Sequence, residues 1–179
     1  MRNGFVSHTA GGAIGGAVGT LFLMQTLKQA SEMLPEEVKP AIVQSDAGEF
    51  IVSKLEQLSG LPLSRTLHVG LTGALHWAYG IGWGSLLGLV TAKRHSVRSV
   101  PAAFIFGGSL GALVWAVGYS GWLPAAKLKP VVRGPGSGYV VASLLGHIAY
   151  GVVSAVPLLL IDRRHKVPVW RRVMSKLVR

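Results

Sequence analysis

Cysteine is absent from the 179 residues, and acidic side chains are few, with 7 Asp and Glu against 18 Lys and Arg. The lack of cysteine excludes disulfides, iron–sulfur ligation and thiol catalysis together. Six of the acids lie between Lys28 and Arg65, and the seventh is Asp162. The rest of the sequence therefore lacks the carboxylates that paired-carboxylate catalysis and carboxylate-rich metal sites require. We expect a non-enzymatic protein without a metal site.

Long apolar stretches make up most of the remaining sequence. Half of the residues are hydrophobic, 14% are charged and 24 are glycine, a composition typical of membrane proteins rather than of soluble domains. Four stretches reach the roughly 20 residues that a helix needs to cross about 30 Å of hydrocarbon. The sequence thus predicts an all-α fold, an integral membrane four-helix bundle that forms one transmembrane domain over residues 1–179. The predicted spans are Gly4 to Leu27, Thr66 to Ala92, Val100 to Leu123, and Tyr139 to Ile161.

The distribution of the net charge of +11 indicates how these spans are oriented. The amino end, the loop between the second and third spans, and the tail after Ile161 together hold 11 Lys and Arg, whereas the other two loops hold 7. Because basic residues are retained on the cytoplasmic side, we expect a protein of the bacterial cytoplasmic membrane with both termini in the cytoplasm, and not a nucleic-acid-binding protein. No small-residue cleavage pattern follows the first span at Lys28-Gln29-Ala30-Ser31, which favours a retained helix over a signal peptide.

The outer loop, residues 28–65, contains a short amphipathic segment. Ile51, Leu55 and Leu58 are spaced at helical intervals before Gly60. This spacing predicts a short helix that lies on the outer surface and ends at the glycine.

The tail, residues 162–179, contains a second amphipathic segment. From Trp170 onward, apolar residues recur at helical spacing, which predicts an interfacial helix that binds anionic lipid headgroups at the cytoplasmic face. The basic side of this helix is formed by Arg171, Arg172, Lys176 and Arg179.

One short motif occurs twice, 71 positions apart. His76-Trp77-Ala78-Tyr79-Gly80 in the second span corresponds to His147-Ile148-Ala149-Tyr150-Gly151 in the fourth. If both termini lie on one side, these spans run in the same direction and equivalent residues lie at equal depth. We expect two tandem helical hairpins related by an internal repeat, with both His–Tyr pairs in the interior of the bundle.

Glycines spaced by four predict where the helices touch, because small residues at i and i+4 let helix backbones approach closely in lipid. The pattern Gly107-Gly108-Ser109-Leu110-Gly111 also matches the nucleophile-elbow motif G-x-S-x-G, but that chemistry needs a strand-to-helix turn. Within an apolar helix we interpret it as a packing motif. The predicted packing glycines are Gly11, Gly15 and Gly19 in the first span, Gly80, Gly84 and Gly88 in the second, Gly107 and Gly111 in the third, and Gly151 in the fourth.

An ionisable side chain at bilayer depth is costly, so it signals either function or a specific packing contact. Three hypotheses stay open for His76 and His147. As a structural pair they donate hydrogen bonds to neighbouring helices. As part of a proton or solute path they titrate near neutral pH beside Tyr79 and Tyr150. As axial ligands they hold a b-type haem between them; apart from this hypothesis, no cofactor is expected.

The remaining histidines are expected at the membrane interfaces. His8 and His68 lie near the ends of predicted spans, where the headgroup zone would solvate them, while His95 and His165 lie within basic clusters. None of the four is predicted to be catalytic.

The order of these motifs resembles the YagU-like family of small inner-membrane proteins. A glycine-rich first span is followed by His76-Trp77-Ala78-Tyr79-Gly80 with Gly84, by Val114-Trp115 with Gly118-Tyr119, and by Gly146-His147 with Tyr150-Gly151 before a basic terminus. The resemblance implies a four-helix protein of the bacterial cytoplasmic membrane with a link to acid tolerance. It implies no catalytic residues, and Leu86 and Leu87 depart from the aromatic content expected after Gly84.

The sequence as a whole favours a non-enzymatic membrane protein that acts as an accessory or scaffold subunit or in membrane acid and ion homeostasis. A proton or small-solute transporter that uses the His–Tyr pairs is the first alternative, and a haem protein is the second. The predicted partners are the lipid bilayer, with a larger membrane complex or self-association also open, since glycine-spaced helices suit both.

Overall fold

The computed structural model describes residues 2–33, 47–93, 96–122 and 137–164. Their regular structure is helical, and no strand occurs among them, which confirms the all-α prediction for this part of the chain. The helices are α1 (Arg2–Met33), α2 (Ala47–Ser59), α3 (Arg65–Ala92), α4 (Val100–Ala116), which continues into a π-helical segment (Val117–Trp122), and α5 (Ser137–Arg164).

Local signals in the sequence explain where several helices begin and end. The Ser64 hydroxyl accepts a hydrogen bond from the Leu67 amide, and the Ser99 hydroxyl accepts one from the Ala102 amide, so both serines cap the amino ends of the helices that follow. Gly60, with φ +67°, terminates α2 in the left-handed conformation that glycine adopts without strain.

The helices pack as two neighbouring hairpins. α1 lies along α3 over a long contact, α4 lies along α5 in the same way, and a third long contact between α1 and α5 joins the two pairs. α3 has few contacts with α4 and α5, while α2 packs against α3. The interior of the bundle is therefore centred on α1 and α5.

Two boundaries differ from the predicted spans. α1 continues to Met33, six residues past Leu27, because no helix-breaking residue precedes Pro35. The third predicted span is α-helical only to Ala116 and then becomes π-helical. The predicted tail helix lies outside the described residues.

Among the described helices, one stretch of 23 residues, Val141–Arg163 in α5, is long and apolar enough to cross a membrane by length and composition. The 17-residue Val100–Ala116 is similarly apolar but shorter. α1 and α3 have the length of a span, but glycine, threonine and histidine dilute their apolar character.

Many large apolar side chains are exposed although several polar ones are buried. The core does contain large apolar residues, among them Leu87, Leu110 and Leu158. Buried polar side chains among the described residues are His8, Thr20, Thr91, Ser143, Ser154 and Asp162. Large apolar side chains with more than half of their surface exposed are found on all four long helices, and they include Ile14, Val69, Val90, Phe104, Ile105 and Leu145.

Candidate functional site

The contact between α1 and α3 is formed by glycine on both sides. A methyl group added to Gly12 would overlap the Gly84 carbonyl oxygen, and one added to Gly16 would lie 2.5 Å from the Gly80 carbonyl oxygen. In the opposite direction, a methyl group on Gly88 would overlap the His8 carbonyl oxygen. The two backbones therefore touch, as small residues spaced by four allow.

A second row of glycines on α1 contacts α5. Added methyl groups on Gly15 and Gly19 would overlap the carbonyl and the hydroxyl oxygen of Ser154, respectively, and Gly11 faces the end of the Ile161 side chain. Five glycines thus give α1 two adjacent packing faces, so that one helix can lie directly against two neighbours.

The α4–α5 contact repeats the geometry of the α1–α3 contact. Gly107 faces the Gly151 carbonyl, as Gly16 faces the Gly80 carbonyl, and Gly111 faces the His147 carbonyl. Gly80 and Gly151 are the equivalent glycines of the duplicated motif. The two hairpins therefore share one contact, in which a glycine of the partner helix lies against the carbonyl of the motif glycine.

The two copies of the duplicated motif meet between α3 and α5, where the Tyr150 hydroxyl is hydrogen-bonded to the Gly80 carbonyl oxygen. His147 is half-buried, and its Nδ1–H donates to the Ser143 carbonyl oxygen, 2.7 Å away within the same helix. This hydrogen bond fixes the tautomer of a neutral ring and leaves Nε2 as the nitrogen available to a second group.

The two tyrosines differ in their surroundings. Tyr150 is 2% exposed, and its hydroxyl donates to the Gly80 carbonyl oxygen at 2.7 Å, which joins α5 directly to α3. Tyr79 packs edge-on against Trp83, with ring centroids 6.0 Å apart. One tyrosine of the repeat therefore connects helices, whereas the other lies in an aromatic pair. The haem and proton-path hypotheses for this cluster stay predictions.

A second ionisable cluster is completely buried at the other end of the bundle. His8 is 0% exposed, Asp162 is 1% exposed, and Nε2 of the imidazole lies 2.7 Å from Oδ1 of the carboxylate. His8 Nδ1–H donates to the Gly4 carbonyl oxygen, and the Val97 amide donates to Asp162 Oδ2. Because a bare nitrogen and a bare carboxylate oxygen would repel at 2.7 Å, one proton lies between them, and the pair has no net charge.

This arrangement corrects the expectation for His8. The side chain is not solvated by headgroups but is enclosed between the amino end of α1, the carboxyl end of α5 and the segment before α4. The sequence held one usable signal for the pair: Asp162 is the single acid outside the outer loop, and His8 lies at the same predicted depth on another span.

A third cluster surrounds His68 on the polar first turn of α3, before the apolar stretch that begins at Val69. Its Nε2 lies 2.9 Å from both carboxylate oxygens of Glu49, and its Nδ1 lies 3.0 Å from Glu56 Oε2. Both carboxylates come from α2. Thr72 also donates to Glu49, at 3.2 Å. Side chains of the protein, and not the expected lipid headgroups, thus surround His68.

The hydrogen bond to Glu49 is the largest influence on the pKa of His68 and raises it above the ordinary value of 6.5. The negative charges of Glu49 and Glu56 raise this pKa further, whereas partial burial of the ring opposes them. Because both ring nitrogens face carboxylates, the doubly protonated imidazolium is the form that fits the site.

Two of the three predicted groups of functional residues lie within the described part of the chain. The packing glycines lie at helix contacts, and Tyr150 of the His–Tyr pairs joins α5 to α3. Arg171, Arg172, Lys176 and Arg179 lie outside the described residues. Sequence comparison adds no identification, since no protein-family model, curated protein or solved structure matches the chain. The resemblance to YagU-like proteins therefore stays a prediction.

Proposed function

We propose that the chain is an integral protein of the bacterial cytoplasmic membrane, in which α1, α3, α4 with its π-helical extension, and α5 all span the bilayer. Both termini lie in the cytoplasm. The protein acts without catalysis, as an accessory or scaffold subunit or in membrane acid and ion homeostasis.

The observation that carries this proposal is the wide exposure of large apolar side chains on every long helix, beside a fully buried ionisable pair. Phe104 and Ile105 are 60% and 65% exposed, whereas His8 and Asp162 are almost fully buried. In water, exposed apolar side chains on every long helix would favour aggregation. In a bilayer the same side chains lie among acyl chains, and contacts between small residues hold the helices together.

The glycine contacts support a scaffold role over a role that requires a wide aqueous path. α1 touches both α3 and α5 through backbone atoms, and α4 touches α5 in the same way. Backbone contact at these points leaves no space for water between those helices, which suits a closed bundle better than a wide aqueous path.

Cysteine accessibility tests the membrane topology, and the cysteine-free chain makes single substitutions informative. A membrane-impermeant maleimide should label Ser53→Cys, in α2, in intact spheroplasts. It should label Arg98→Cys, in the loop before α4, only after permeabilisation. The protein should also stay in the membrane pellet after alkaline carbonate washing. Release by carbonate, or equal labelling of both positions in intact spheroplasts, would contradict the proposal.

A proton path through the His–Tyr pairs is the second candidate, and the hydrogen bond that joins the two copies of the motif, from the Tyr150 hydroxyl to the Gly80 carbonyl oxygen, favours it. Two imidazoles from equivalent positions, together with two phenols, give four proton-exchanging groups between α3 and α5. Histidine, with an ordinary pKa near neutrality, can exchange protons with either side of a membrane.

Proton flux in liposomes distinguishes the two candidates. Purified protein would be reconstituted with an internal pH-sensitive dye and given a pH step, with empty liposomes as the reference. A scaffold leaves the rate of dye response at that of empty liposomes. A proton path accelerates it, and His76→Ala and His147→Ala should each abolish the increase, whereas Ser109→Ala, on the exposed side of α4, should not.

A further inference from the structure

We propose that α2 is an interfacial helix whose apolar stripe, Ile51, Leu55 and Leu58, inserts among the acyl chains of the outer leaflet. The inference rests on the proposed membrane location, and it assigns a lipid partner to a helix that connects two spans. It follows from which side of α2 faces α3 and which sides are exposed.

α2 directs its acidic side towards the protein. Glu49 and Glu56 both reach His68 on α3, and Val52, between them, is 0% exposed. Glu56 also accepts a hydrogen bond of 2.7 Å from the Leu63 amide, which fixes the turn after α2. The groups that would oppose insertion into lipid are therefore held against α3 and paired with an imidazolium.

Within the part of the chain that the structure describes, no protein contact buries the apolar stripe. Ile51 is 41%, Leu55 53% and Leu58 76% exposed. Side chains at positions i, i+4 and i+7 lie on one side of a helix. An exposed stripe of this kind on a 13-residue helix indicates an apolar environment beyond the protein.

The opposite flank of α2 is polar and suits water. Ser53, Lys54 and Gln57 are exposed, and Lys54 Nζ donates to Gln57 Oε1 at 2.6 Å. The helix thus has one side against α3, one apolar flank and one polar flank. A helix that lies in the plane of the interface presents its surface in this way.

Continuity with α3 identifies the occupant as lipid rather than a protein partner. Leu61, after α2, is 68% exposed, and Leu67 and Val69, in the first turns of α3, are 49% and 63% exposed. Exposed large apolar side chains thus continue along the chain from α2 through the turn into α3, whose exposed surface the proposed function places among acyl chains. Neighbouring exposed apolar side chains are expected to face the same environment, which here is lipid.

Fluorescence quenching in vesicles tests the inference. Leu55→Cys and, as its matched control on the polar flank, Gln57→Cys would each carry an environment-sensitive fluorophore. The full chain would be reconstituted in vesicles of phosphatidylcholine and phosphatidylglycerol. Spin-labelled acyl chains should quench the label at residue 55 several-fold more than that at residue 57, and aqueous iodide should show the reverse order.

A third variant separates failure of the inference from failure of the membrane proposal. Ile105→Cys, on the exposed surface of α4, reports whether the bundle lies in the bilayer at all. If lipid quenches the label at residue 105 but not at residue 55, α2 does not insert and the inference is overturned alone. If lipid quenches neither, both proposals fall. Self-quenching of the label at residue 55 that depends on protein density would assign the stripe to a second copy and would also overturn the inference.

Discussion

The two halves of α3 have similar apolar sequences but very different surroundings. All six of its buried residues lie between Gly80 and Ala92, where glycine contacts hold it against α1, and none lies between Arg65 and Tyr79. In the first half, methyl groups added to Gly70 or Gly73 would meet nothing within 4 Å. The buried half is held against α1 by a row of glycine contacts, whereas the open half is joined to α2 by ionic side chains and by the contact of Gly48 with the Thr72 carbonyl.

The histidine–carboxylate clusters follow the same division. His8 and Asp162 lie beside the buried half and are excluded from solvent, while His68 and Glu49, on the open half, are 21% and 40% exposed. Loss of one partner should therefore cost more free energy of unfolding at the buried cluster than at the exposed one. A charged partner left alone in an apolar interior has no water to solvate it, but one left alone at the surface does.

Among these variants, the one without Asp162 should lose the most stability. Asp162→Ala leaves His8 and the Val97 amide without their buried acceptor, and breaking a buried pair in this way costs about 3–5 kcal/mol. The measurement is the free energy of unfolding in detergent micelles, followed by circular dichroism. Arg163→Ala, at the exposed neighbouring position, is the control and should cost less than about 0.5 kcal/mol.

A double-mutant cycle with His8→Ala tests whether the cost of losing Asp162 belongs to the pair. If the two residues act together, the double variant should be destabilised by clearly less than the sum of the two single variants. Additive losses would contradict the assignment of this cluster as a unit that joins α1 to α5.

Glycine substitutions compare a closed helix contact with an open surface on the same helix. In Gly84→Ala, the added methyl group would overlap the Gly12 carbonyl and force α1 away from α3, at a cost of about 1–3 kcal/mol. In Gly73→Ala nothing lies within 4 Å, and the higher helix propensity of alanine should stabilise the helix by about 0.5–1 kcal/mol. Thermal unfolding of both variants in the same detergent gives the comparison. Equal changes of the same sign would show that the two halves do not differ.

The Tyr150 hydroxyl tests a smaller contribution to the buried half. Tyr150→Phe removes the hydrogen bond to the Gly80 carbonyl while keeping the ring, and it should cost about 1 kcal/mol, in the range measured for single hydrogen bonds between membrane helices. Tyr79→Phe is the matched control from the other copy of the repeat. Since no hydrogen bond from the Tyr79 hydroxyl is found among the described residues, this variant should unfold at the wild-type temperature or above it.

The sequence predicted features that depend on local signals but not contacts that depend on which helices become neighbours. Apolar runs located the long helices, and the spacing of Ile51, Leu55 and Leu58 located α2, because these signals are local. The pairing of His8 with Asp162 joins residues 154 positions apart, and it depends on which helices become neighbours. Glycine spacing predicted that α1 packs closely against other helices. Only the structure shows that Gly12 contacts α3 and Gly15 contacts α5.

The smallest expected effect is a pH dependence of the docking of α2 on the open half of α3, which should act through His68. The pKa of this histidine in the folded protein is raised above 6.5, so its protonated form stabilises the docking of α2 on α3 fully below that pH. This contribution is lost as the pH rises through the raised value. An NMR titration of the His68 ring protons should give a midpoint above 6.5, and Glu49→Gln should move it downward, since Glu49 supplies the largest upward influence. A midpoint at or below 6.5 in the wild-type chain would contradict the placement of two α2 carboxylates around the ring.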